Sequence, residues 1–212
     1  MLEFAILGLL QEVAMHGYEL RKQLATKLGA IWAAISYGTL YPTLHRLHAA
    51  GWITTELGAE ASGSCDARSS ASRRSRVVYK ITADGKERFQ DLLAQTGPET
   101  YDDAGFGVHF AFFARTDQAI RLRILEGRRR RVEERREGLR DALARAAERI
   151  DAYTLELQRH GLDACEREVR WLEELIATER SGGQPGQRLP PGGPPEDLHP
   201  GGLHPEGTAN PT

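Results

Sequence analysis

Three short helical stretches, each closed by glycine or a polar break, stand ahead of two strand-like runs, and this order constrains the fold more than any other feature. Leu2, Ile6, Leu9 and Val13 recur at helical spacing, as do Leu20, Leu24 and Leu28 between Gly17 and the stop at Gly29. A third helix is expected from about Ser36 to Ala50, with Leu40, Leu44 and Leu47 on one face and Gly51 at its end. Ser36 and Thr39 both qualify as its cap, and Pro42 is tolerated in a first turn. Trp52 to Leu57 and Arg76 to Thr82 then read as strands, the second alternating Val77, Tyr79 and Ile81 against Arg76, Val78 and Lys80. The Gly-, Ser- and Arg-rich stretch between them reads as the long tip of a hairpin. Thr82 is placed to cap a fourth helix carrying Phe89, Leu92 and Leu93.

The expected fold class is mainly α with a small β-hairpin: a winged helix-turn-helix domain plus a C-terminal helical dimerisation arm. Residues 1–95 form the winged domain, 96–107 a Gly-, Pro- and Asp-rich linker, 108–180 the helical arm, and 181–212 a disordered tail. Leu139, Leu143, Ala146, Ile150, Tyr153 and Leu157 alternate four and three residues apart, the spacing of a heptad seam, with a break expected at Gly161. A last helix carries Cys165, Val169, Leu172 and Ile176. Eight of the ten prolines fall after Ser181, interleaved with glycines, where no core is expected to form.

Net charge is −2, which by itself argues against nucleic acid, but the distribution is uneven. Between Ala61 and Thr82, Arg68, Arg73, Arg74, Arg76 and Lys80 face one acid, Asp66. In a winged helix-turn-helix the third helix enters the major groove and the hairpin tip reaches phosphates or the minor groove. Turning the three leucines inward leaves Gly38, Pro42, His45, Arg46 and Ala49 outward, with Tyr41 and His48 on the flanks. Thr39 and the tyrosine hydroxyl donate well to phosphate oxygens, and an arginine contacts phosphate or pairs bidentately with guanine. The candidate DNA-binding set is therefore Tyr37, Gly38, Thr39, Tyr41, Pro42, His45 and Arg46, with Arg73, Arg74 and Arg76 on the wing. Tyr18 and Trp52 are expected in the core with the leucines, as is Trp32.

Three segments bear a resemblance more specific than the helix order. His16-Gly17-Tyr18-Glu19-Leu20, the run Gly38-Thr39-Leu40-Tyr41-Pro42-Thr43-Leu44-His45-Arg46-Leu47, and Tyr79-Lys80-Ile81-Thr82-Ala83-Asp84-Gly85 resemble the signatures of the PadR family of transcriptional regulators, in order and spacing. The resemblance covers roughly the first 95 residues. It implies a winged-helix DNA reader, usually a repressor, whose C-terminal helices pair two subunits, and in some members a small hydrophobic or phenolic effector that releases the DNA. The chain departs from the pattern in its long Ser/Ala-rich wing loop and in His48, where the family often has an acid.

The expected partners are double-stranded DNA at a palindromic operator, a second copy of the chain paired through Leu139, Leu143, Ile150, Tyr153 and Leu157, and a small hydrophobic or aromatic effector against Trp171. Phe106, Phe110, Phe112 and Phe113 supply further aromatic surface near the arm. No cofactor or metal is expected: His45 and His48 have no evident third ligand, and the two cysteines, Cys65 and Cys165, form no C-x-x-C. Catalysis is not expected, since the phosphate loop, the G-x-S-x-G elbow and H-E-x-x-H are missing. The apolar start carries Glu3 and Glu12 and lacks a basic leader, so it reads as a core helix, with no membrane span and cytoplasmic residence. The competing reading is a coiled-coil adaptor that never touches DNA. The four-arginine run from Arg128 to Arg131 reads as a solvated helix face.

Overall fold

The computed structural model describes residues 1–29, 37–57, 77–146 and 150–183. Arg73, Arg74, Arg76, Trp32, Cys65 and the tail from 184 onward lie outside the described residues, as does the tip of the expected hairpin.

The first element, α1, spans Leu2–Leu10. It is apolar on all sides and lies at the centre of the N-terminal core, where Phe4, Ile6, Leu7 and Leu9 are buried. It stops before Val13, which is exposed. A two-residue strand, β1 (Met15–His16), leads into α2 (Gly17–Leu28). A 3-10 turn over Tyr37–Thr39 enters α3 (Leu40–Ala49), with Thr39 at the N-cap and Pro42 in the first turn. Gly51, at φ +76°, closes that helix in a backbone conformation that side-chain-bearing residues rarely adopt.

The strands β2 (Ile53–Leu57) and β3 (Val77–Ile81) pair antiparallel, with Thr55 opposite Tyr79. The sheet order is β1-β3-β2, so the hairpin is fastened on its other side by Met15 and His16. The His16 ring nitrogen Nδ1 also lies 3.3 Å from the Val77 carbonyl. Helix α4 (Ala83–Leu93) starts at Thr82, whose hydroxyl accepts from the Gly85 amide at 3.1 Å and donates to the Gly51 carbonyl at 2.7 Å. Gly85 is obligatory: a Cβ there would stand 1.9 Å from the Trp52 carbonyl oxygen.

The segment expected to be a linker folds. It holds a 3-10 turn at Pro98–Thr100 and the start of α5 (Phe106–Phe110). The Asp102 carboxylate accepts from the Ala104 and Gly105 amides, a turn that competes with extended backbone and starts the helix. Val108 and Phe112 then join the N-terminal core, while Phe106 and Phe113 join a second core in the arm. The arm is a pair of packed 29-residue helices, α6 (Gln118–Ala146) and α7 (Ala152–Arg180), around Ile124, Leu125, Val132, Val169, Leu172 and Ile176.

Two expectations about the arm change here. Helices α6 and α7 lie antiparallel, paired by Arg121 with Glu179 and Arg128 with Glu168, and the Asp151 carboxylate caps α7 by accepting from the Tyr153 and Thr154 amides. Gly161 lies inside α7, where the Leu139 side chain packs toward it: a Cβ would meet Leu139 at 3.7 Å. The seam is therefore split between two helices of one chain. Arg128 is also no solvated side chain; it is buried, with carboxylates on two sides.

Candidate nucleic-acid interface

Helix α3 packs by its leucine ridge. Leu40, Leu44 and Leu47 are buried with Thr43 beside them, which leaves Gly38, Thr39, Tyr41, Pro42, His45, Arg46, His48 and Ala49 exposed. The sequence reading of inward and outward faces and the observed burial agree at each of these positions. The Tyr41 ring leans over the first turn of α2. A Cβ on Gly17 would come within 3.3 Å of it, so glycine there lets α2 and α3 approach. The half-buried phenol of Tyr79 lies against the same glycine, and its pKa is raised by partial burial and then by Tyr41. Tyr41 thus reaches the surface from a packed ring rather than from a loose side chain.

Tyr18, expected in the core, is 68% exposed. The reason is angular: α2 buries Gly17, Leu20, Leu24 and Leu28, and position 18 lies two residues, about 200°, from Leu20. Tyr18, Arg21 and Lys22 share the outer face of α2 and line a shallow cleft of about 190 Å³. Sequence reasoning overlooked this trio, although the i, i+3, i+4 spacing of its members opposite the leucines was there to be read.

Arg46 extends from the second turn of α3 and is 66% exposed at its side chain. Its guanidinium lies 3.6 Å from the Glu3 carboxylate, which also accepts from Arg88 Nε at 2.9 Å. The Arg88 guanidinium sits 5.0 Å above the Trp52 ring.

A second site lies where the winged domain meets the arm. Trp171 on α7 meets Phe110 at 5.4 Å and Phe106 at 6.1 Å, both edge to face. These rings wall a groove of about 430 Å³, closed on its other sides by Lys27 of α2 and by Asp103, Arg128 and Glu168. Arg128 donates to Asp103 at 2.6 Å and to Glu168 at 2.7 Å, and lies over the Phe106 ring. Hydrogen bonds from Arg135 and then Arg128 hold the Asp103 carboxyl down at about 2. Phe112 does not share this groove; it stacks on Phe4 and Phe89 in the other core.

The candidate seam residues fare unequally. Leu139 packs into the arm's own core, and Leu143 and Ile150 are half-buried. Tyr153 is 90% and Leu157 70% exposed on the outer side of α7. No cluster of metal-ligating side chains occurs among the described residues, and no described helix is long and apolar enough to cross a membrane.

A three-stranded sheet behind a helix-turn-helix, with the exposed face of α3 turned outward, defines a winged-helix protein. Residues 6–91 match the model of the Transcriptional regulator PadR-like family. The Negative transcriptional regulator PadR of Bacillus subtilis (strain 168) is 30% identical over 104 residues, covering 48% of this chain and 51% of that protein. The chain thus spans about half the length of the curated relative it matches. Among solved structures, Bacillus subtilis PadR in complex with operator DNA is 22% identical, covering 84% of this chain and 98% of that one, with a TM-score of 0.38. The same protein in complex with p-coumaric acid matches over the same shares, at a TM-score of 0.37. A PadR-like transcriptional regulator from Bacillus cereus is 18% identical over 86% of this chain and 99% of that one, with a TM-score of 0.37.

Proposed function

We propose that this protein is a sequence-specific, double-stranded DNA-binding transcriptional repressor that acts in the cytoplasm as a homodimer and is released by a planar aromatic effector. The observation that carries the reading is the polar outer face of α3, held rigidly by a buried leucine ridge on a winged domain of a regulator family. Gly38, Thr39, Tyr41, Pro42 and His45 begin that face, Tyr37 precedes them in the chain as a further proposed contact, and the first turns of a recognition helix are those that meet base edges. Thr39 and Tyr41 donate to phosphates and fix the register, while Arg46 reaches a guanine or a phosphate farther along. Tyr18, Arg21 and Lys22 extend the phosphate-facing surface onto α2, and Arg73, Arg74 and Arg76 are proposed as further phosphate contacts on the charge of the sequence between the two strands. The relative from Bacillus subtilis is named a negative regulator, which favours repression.

A second copy covers the outer face of α7 around Tyr153 and Leu157, with Ile150 and Leu143 at its edge and Leu139 holding the two helices together from inside. Pairing through the arms sets two α3 helices on successive major grooves. The effector enters the groove walled by Trp171, Phe106 and Phe110, at a junction of the kind where small-molecule sites concentrate. A tenfold loss of DNA affinity needs a ligand that prefers the released geometry by about 1.4 kcal/mol.

Footprinting on sequences selected from random duplexes tests the reading. Two protected half-sites with centres one helical turn, about 34 Å, apart are expected. A single half-site bound at full affinity by a monomer refutes the dimeric reading, and no protection of any duplex favours the adaptor.

A further inference from the structure

Arg46 is the single arginine of α3, and the structure pairs it with an acid from another element. Glu3, in the first turn of α1, is anchored: one carboxylate oxygen accepts from Arg88 Nε at 2.9 Å, and the Arg88 guanidinium is stacked on Trp52 at the root of β2. Its other oxygen faces Arg46 at 3.6 Å. The acid is 17% exposed at its side chain while Arg46 is 66% exposed, so a fixed negative charge stands behind a solvent-facing positive one.

That arrangement acts on DNA. A phosphate reaching Arg46 competes with Glu3 for the guanidinium and also approaches a carboxylate that cannot swing away. Binding to arbitrary sequence rests on phosphate neutralisation alone, so it bears this penalty in full. At the right sequence Arg46 turns to a guanine edge instead of a phosphate, so no phosphate is drawn up to the carboxylate and the penalty is smaller there. We infer that Glu3 is a positioning residue that tethers Arg46 and suppresses non-operator binding, widening the gap between operator and random DNA. The inference rests on the reading of α3 as the groove helix.

Glu3→Gln tests it in the full chain, because the amide oxygen still accepts from Arg88 and keeps α1 joined to α4. Fluorescence anisotropy with a random-sequence duplex across a salt series is the measurement, and thermal unfolding reports whether the fold is kept. The variant binds random DNA about two- to fivefold more tightly, the range of an exposed ion pair. Its salt dependence steepens by about one unit, and operator affinity rises less. In an Arg46→Gln background the same change has no effect. Unchanged random-DNA affinity and slope in Glu3→Gln overturn the inference, as does an equal gain with Arg46 already removed. A fall in thermal stability with an unchanged salt slope overturns it too, by assigning Glu3 a structural role. If the wild-type chain retards no duplex at low salt, the DNA-binding reading fails and takes the inference with it.

Discussion

Acidifying the protein from neutrality toward pH 4 should drain its stability through one side chain, His109 on α5. The ring is 3% exposed and rests on Phe4 with centroids 4.7 Å apart, in the seam between the linker helix and α1. Burial, helped by the nearby amino terminus, lowers its pKa from 6.5 to about 4, while Glu99 and Asp102 pull weakly the other way. Between those values the unfolded chain binds a proton that the folded chain refuses. The contribution of His109 is therefore complete above pH 6.5 and is lost as the pH falls through about 4. The gap corresponds to about 3 kcal/mol, a large part of the roughly 5–15 kcal/mol that holds a domain together. Urea unfolding at a series of pH values from neutral to about 4.5 reads this as a falling midpoint with an unchanged slope on urea. His109→Leu keeps the ring's space filled with apolar atoms and should flatten the profile across that window. Asp103 does not confuse the result, since the stability it lends is lost only between its ordinary 3.8 and about 2. If His109→Leu retains the wild-type pH dependence, burial of His109 is not its source and the reasoning fails.

Gly8→Ala places a methyl 2.3 Å from the Phe112 ring and should cost about 1–3 kcal/mol by calorimetry. Adding Phe112→Leu should remove most of that increment, and strict additivity of the two changes would show that the ring does not meet α1. Leu157→Asp puts a charge on the outer face of α7 and should weaken the dimer in sedimentation with little change in monomer stability; an unaltered dimer assigns pairing to another surface. Tryptophan emission titrated with flat aromatic compounds should quench in the wild type and not in Trp171→Leu, in step with loss of DNA affinity. Quenching that survives the substitution moves the ligand away from the groove. Thr39→Val with Tyr41→Phe should weaken binding to all sequences alike, by about 1 kcal/mol per lost hydrogen bond; a loss confined to one base position makes these residues readers instead.

The leucine spacing made α2 and α3 legible, because burial on one helical face leaves a periodic trace; α1, buried from Phe4 to Leu10, was legible as an apolar run, and Thr82 announced α4 by its capping chemistry. Two-residue β1 left no trace, since a pair of residues has no period and Met15 and His16 earn their pairing only from β3 across the chain. Tyr18 was misjudged by treating membership of a motif as membership of the core. Arg128 looked like its three arginine neighbours, yet only its position faces Phe106, Asp103 and Glu168. The heptad pattern could not state direction: the same spacing serves a helix that continues and one that turns back on itself. Asp151, with Tyr153 and Thr154 behind it, was the readable sign of the turn, and Gly161 was a weaker one, tolerable inside a long helix at about 1 kcal/mol. The groove was legible only as a list of aromatic residues, because its walls come from four separate stretches of chain.

Because Val108 and Phe112 complete the N-terminal core, the Gly- and Pro-containing stretch after α4 is a poor place to cut this chain. A fragment ending near residue 95 would present Phe4, Gly8 and Phe89 to water where the Phe112 ring now lies, an open socket rather than a finished surface. Transplanting the winged domain onto another partner therefore requires carrying α5 and the turn after it. What travels with that helix is the aromatic rim of the groove, Phe106 and Phe110, so in any chimera built on this domain α3 arrives with half of that groove's wall already attached.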